Sequence, residues 1–223
     1  PSLPLAGIPI PPAGGLPRSV TDWLFLLYLA GVLLSALWLA AGGLRLRRCL
    51  GQAVPVAGAR LEAVAALAER FGLSMPRRVV ESRAASTPFL VGVVRPVLVL
   101  PMGWAPDRKV ILHELIHLKQ RDVAAGWVTA LFRCVHWCNP FLWRIFDRID
   151  NQREQRCDQL VLERLEGEDR RDYGRVLLSM ADDGRRRFPG ATTMANGGQN
   201  IKARIQAITR FKAFPRGMGL VSV

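Results

Sequence analysis

Apolar and polar positions alternate along this chain with three different periods. Trp23 to Leu44 carries no charged residue at all. At ~1.5 Å per residue that run is about 33 Å long, enough to cross a bilayer core. Val56 to Phe71 has Leu61, Val64, Leu67 and Phe71 on one side and Arg60, Glu62, Glu69 and Arg70 elsewhere, the pattern of an amphipathic helix. Val79–Ser82, Phe89–Val94 and Val97–Leu100 read as short strands, the last two joined through Arg95-Pro96. Pro96 and Pro101 predict that at least one of them lies at a sheet edge. A helical pattern returns around Val110 to Leu118. Val123 to Phe146 is apolar but holds Arg133 and Arg144 and breaks at Asn139-Pro140; it predicts either a partly buried helix or one lying against a membrane interface. Further helices are predicted over about Pro140–Leu165, Asp172–Asp182 and Ile201–Phe211. Gly184 to Asn200 reads as a flexible connection.

Charge gives the apolar run a direction. Only Arg18 and Asp22 are charged before it, whereas Arg45, Arg47 and Arg48 follow it. Basic residues stay on the cytoplasmic side, so the chain after Arg45 is expected there. This predicts an extracytoplasmic Pro/Gly-rich segment (1–22), a transmembrane helix (23–44), a cytoplasmic domain (45–213) and the start of a further transmembrane helix (214–223). The chain begins with proline and ends in an apolar run, as expected for a fragment of a longer membrane protein. The net charge of +13, from 31 basic and 18 acidic residues, implies attraction to anionic lipid headgroups. No helix-turn-helix or aromatic-interleaved basic strand accompanies it, so direct nucleic-acid binding is not expected. The four cysteines match no standard metal spacing and fit a reducing compartment.

The chemistry sits at His113-Glu114-Leu115-Ile116-His117, which holds two of only three histidines in the chain. On a helix the two imidazoles stack at i and i+4, where both reach one metal ion. Glu114 then lies beside the metal as the base that takes a proton from water. A catalytic zinc ion needs a third protein ligand. Glu154 and Asp158 are again i and i+4. Glu154 is the expected third ligand; Asp158 either orients a histidine ring or binds the metal itself. The same stripe, alternating with Arg144, Arg148, Arg153 and Arg156, is also what a solvated ion-paired helix looks like.

These motifs, with His136-Trp137-Cys138-Asn139-Pro140, Trp143, Pro88–Gly92 and Leu98–Pro101, resemble the BlaR/MecR antirepressor family of membrane metallopeptidases. The resemblance covers about Trp23 to Phe211. It implies an α+β, mostly helical gluzincin-like zinc protease domain with a small β-sheet, flanked by transmembrane helices of the bacterial inner membrane and facing the cytoplasm. It further implies that Phe89, Leu90, Val91, Gly92 and Val93 hold an extended protein substrate, a transcriptional repressor or the chain itself. The penicillin-binding sensor domain of the best-known members has no counterpart in this sequence. Two alternatives stay open: a membrane quality-control protease of the HtpX or CAAX-processing type, and a non-enzymatic signalling scaffold. An oxyanion-stabilising side chain is expected, with His136 a candidate.

Overall fold

A computed structural model describes residues 19–103, 107–181, 192–193 and 198–209. The predicted N-terminal lead, the predicted C-terminal span (214–223) and most of the Gly184–Asn200 connection lie outside these residues.

Helix α1 (Val20–Gly51) runs well past the predicted span. Ser19 starts it with a reciprocal capping box: its hydroxyl accepts from the Asp22 N–H, and the Asp22 carboxylate accepts from the Ser19 N–H, satisfying two N-terminal donors. Strand β1 (Val54–Pro55) and helix α2 (Ala59–Arg70) lead into β2 (Arg78–Ser82), β3 (Phe89–Val91) and β4 (Val97–Pro101). The metal-motif helix α3 (Arg108–Gln120) follows, then α4 (Asp122–Val135), α5 (Pro140–Leu162), α6 (Glu168–Ala181), the short β5 (Thr192–Thr193) and α7 (Gly198–Thr209). The result is a mostly helical α+β domain behind one long apolar helix.

The strands order as β1-β2-β4-β3-β5. β2 and β4 are parallel, with Val80 opposite Val99; β3 and β4 form an antiparallel hairpin, with Leu90 opposite Leu98. The predicted strand Phe89–Val94 ends three residues early, at Val91. Gly92 turns the chain at φ +92°, and a Cβ there would lie 2.5 Å from the Arg95 carbonyl oxygen. Only glycine fits that turn, so Gly92 and Val93 belong to the hairpin turn and not to the strand.

Both faces of the sheet are covered, which explains the unbroken apolar run Val97–Leu100. Val79, Leu90, Leu98 and Leu100 point into the main core with α2, α3, α5 and α6. Val80, Phe89, Val91 and Val99 alternate to the other face, against Leu46 and Cys49 near the end of α1. The C-terminal end of the apolar helix is thus built into the domain rather than tethered to it.

Candidate metal centre

α3 begins at Asp107, whose carboxylate accepts the Lys109 N–H at 2.7 Å, a normal N-cap. It ends at Arg121, a non-glycine residue in the left-handed region (φ 58°, ψ 34°) that both closes α3 and opens α4. That conformation costs an arginine about 1–2 kcal/mol. In return Asp122 folds back over α3, and its Oδ2 lies 2.6 Å from His117 Nδ1. α5 begins with Asn139 capping the Phe141 and Leu142 N–H groups and Pro140 in its first turn. Its far half carries Glu154 and Asp158 to the same place.

His113, Glu114 and His117 are fully buried, and Glu154 and Asp158 nearly so. The two histidine Nε2 atoms lie 2.9 Å apart. Glu154 reaches both, with Oε2 3.6 Å from His113 Nε2 and Oε1 3.7 Å from His117 Nε2. Asp122 can only accept, so the His117 ring proton sits on Nδ1. Tyr173 donates its single proton to Asp158 Oδ1 at 2.6 Å, so at 2.8 Å its oxygen accepts from His113 Nδ1. With both rings neutral, the Nε2 atoms therefore present bare lone pairs to each other across 2.9 Å. That contact is repulsive unless a cation lies between them. Glu154 Oε2, also facing this point, is buried and makes no hydrogen bond among the described residues. Two imidazole nitrogens and a carboxylate suit zinc.

Cys157 offers a rival ligand, since its sulfur and the two rings lie within 4.8 Å of one another. Its Sγ, however, is 3.5 Å from His113 Nδ1 and donates to the His113 carbonyl. Those contacts are with the Nδ1 and backbone of His113, whereas Glu154 reaches the facing Nε2 atoms of both histidines, so Glu154 completes the set better.

Burial disfavours charge at both histidines, but Cys157 and Glu154 beside them outweigh it; His113 is pushed up to about 9 and His117 well above its usual value. Burial likewise opposes the Glu154 carboxylate, yet His117, His113 and Arg204 hold it well below the usual range. All three groups favour a positive charge at their meeting point.

Asp158 lies beside the His113 ring, where an orienting residue would stand. Its Oδ1 is 3.5 Å from His113 Nδ1, and it acts on that ring through Tyr173. The residues that sequence reading missed arrive from outside both motifs. Asp122, Tyr173 and Arg204 orient or neutralise the site. Arg204, almost fully buried, binds Asp158 through Nε at 2.6 Å and Nη2 at 2.7 Å, and its Nη1 lies 3.4 Å from Glu154 Oε2. Its burial is offset by those carboxylates, which keep it charged. His136 caps the far end of α4 and stacks on Phe132, about 21 Å of helix away from Asp122.

The model of the BlaR1 peptidase M56 family matches residues 11–208. The chain belongs to that family. It is 30% identical over 145 residues to the regulatory protein BlaR1 of Bacillus licheniformis, covering 61% of this chain and 24% of that protein. It is 28% identical over 137 residues to the methicillin resistance mecR1 protein of Staphylococcus aureus strain Mu50, covering 58% and 23%. The match thus spans about a quarter of each relative's length. Membership supports a membrane-associated signalling metallopeptidase, and the expected family is the one found.

Proposed function

We propose that this chain is the catalytic part of a membrane-anchored zinc endopeptidase that cleaves a protein on the cytoplasmic side of the bacterial inner membrane. The observation that carries the reading is the convergence of His113 Nε2, His117 Nε2 and the Glu154 carboxylate inside a buried, hydrogen-bonded shell. Zinc held there would supply Lewis-acid activation of water and of the scissile carbonyl. Glu114 takes the proton from the attacking water and returns it to the leaving amine. Asp122 and Tyr173 keep the ring protons on Nδ1, so that both Nε2 atoms face inward. Arg204 balances the negative charge of Glu154 and Asp158.

The substrate is an extended peptide that takes the side of β3 held here by Thr192–Thr193, pairing by main-chain hydrogen bonds. The side chains of Phe89, Leu90 and Val91 are buried, so the strand offers its backbone and little else. Gly92 and Val93, in the turn, mark where that edge stops. Thr193 and Thr192 lie antiparallel along it, opposite Phe89 and Leu90, beside α3 and α4. This supports the chain itself, alongside a repressor-like protein, as a substrate.

The test is metal content measured together with mass-spectrometric detection of cleavage products. Glu114→Gln should keep stoichiometric zinc and lose turnover by at least about 100-fold, because it removes the base and no ligand. His113→Ala should lose both. Wild-type cleavage by Glu114→Gln would overturn the mechanism, and full zinc binding by His113→Ala the ligand set.

A further inference from the structure

We propose that α4 is a second membrane-embedded element: a helix that enters the bilayer beside α1 and presents one face to lipid acyl chains. The inference rests on the membrane-anchored reading and adds to it where the catalytic domain itself sits.

Val128, Leu131, Phe132 and Val135 recur at i, i+3, i+4 and i+7, one stripe of a helix. All four are about half exposed, between 45% and 56%. No charged residue interrupts the stripe. The one arginine inside α4, Arg133, turns the other way and pairs with Asp147 at 2.8 Å and Asp150 at 3.1 Å on α5. A row of large apolar side chains of this length is not left to water.

The occupant follows from continuity with α1. The exposed surface of α1 includes Trp23, Leu24, Leu27, Leu33, Leu34 and Trp38, and the helix is long and apolar enough to cross a membrane. The far end of α4 is fastened to it: Tyr28 Oη donates to the Val135 carbonyl at 2.9 Å, and Trp137 Nε1 donates to the Tyr28 carbonyl at 3.1 Å. Gly31 allows this approach, since a Cβ there would fall 2.0 Å from the Trp137 ring. From that junction α1 runs about 25 to 30 Å to Arg45, Arg47 and Arg48, and α4 about 21 Å to Arg121. Both helices therefore reach basic residues about 20 to 30 Å from the shared contact, where the anionic headgroups of one membrane surface would lie. A helix tip held against the middle of a spanning helix lies at acyl-chain depth. The adjoining side of α5, with Arg144, Asp147 and Arg148, is excluded from this face; charged side chains at such depth turn toward protein or water-filled space.

The experiment uses the full chain reconstituted in vesicles of phosphatidylethanolamine and phosphatidylglycerol. A benzophenone side chain is introduced singly at Val128, Leu131 and Val135, and at Leu33 of α1 as the reference. Illumination followed by mass spectrometry should give phospholipid adducts at all four positions, with zinc content unchanged. Lipid adducts at Leu33 but none at the α4 sites would overturn the embedded helix and leave the anchored protease standing. Adducts from α4 to another protein segment would do the same, by naming a different occupant. Loss of lipid adducts at Leu33 as well would overturn the membrane reading and this inference with it.

Discussion

The two halves of α5 reverse each other's chemistry. Between Pro140 and Asp150 the helix exposes Phe141, Trp143, Ile145 and Ile149. Between Asn151 and Leu162 it buries Glu154, Cys157 and Asp158 with Val161. A helix in water does the opposite throughout, hiding its apolar side chains and solvating its carboxylates. The first half stands beside α4, and its exposed apolar side chains alternate with the exposed Arg144, Asp147 and Arg148. The second half can be charged inside because each carboxylate meets a cation or a donor: Asp158 meets Arg204 and Tyr173, and Glu154 meets the two imidazoles. What decides polarity along this helix is the neighbours that each half meets, and those change within two or three turns.

The contrast breaks most severely on the buried side. Arg204→Met removes the guanidinium while keeping much of the side-chain volume, and leaves Asp158 and Glu154 facing each other without it. Breaking a buried pair from one side costs about 3–5 kcal/mol. Thermal melting of the metal-free protein in detergent should show that loss, and added zinc should recover part of it. An unchanged melting temperature would mean that α7 does not dock as described. Asp122→Ala should act more narrowly. It frees the His117 ring from its Nδ1 partner, and zinc affinity measured by competition with a chelator should fall about 10- to 100-fold. Equal affinity would remove Asp122 from the site. The mildest effect belongs to the outward side. Leu131→Ser in detergent should change stability by no more than about 0.5 kcal/mol, because that side chain contributes to no protein core. A large loss would show that Leu131 packs against protein, and would remove the contrast between the outward face of α4 and the buried half of α5.

How legible these regions were in the sequence follows from how far their parts lie apart. His113, Glu114 and His117 share one helical face, as do Glu154 and Asp158, so local periodicity alone placed them. The uncharged run from Trp23 was legible for the same reason. Asp122 is only five residues past His117, yet its role depends on the left-handed Arg121, which no propensity anticipates. Tyr173 and Arg204 reach the site through tertiary packing of α6 and α7, and their spacing from the motifs carries no signal. The parallel pairing of β2 with β4 was equally hidden, since an apolar strand does not name its neighbour. Phe89–Val94 read as one strand because Val93 and Val94 favour extended backbone; the positive φ at Gly92 overrides them. Val123–Phe146 was ambiguous by composition, and its two helices and their outward face required the fold.

Arg121 is all that separates the metal helix from α4, and a joint of one residue has no slack. α-Helical residues advance by about 100° of rotation. One residue inserted or deleted at this joint would therefore swing α4 by more than a quarter of a turn. Asp122 would leave His117, and the Val128–Val135 stripe would turn off its bearing in the same motion. Point substitutions can damage either function alone, whereas a change of length here strikes both. The interval between His117 and Val128 is fixed by phase, and length in this stretch of the chain is constrained as tightly as the identity of any ligand.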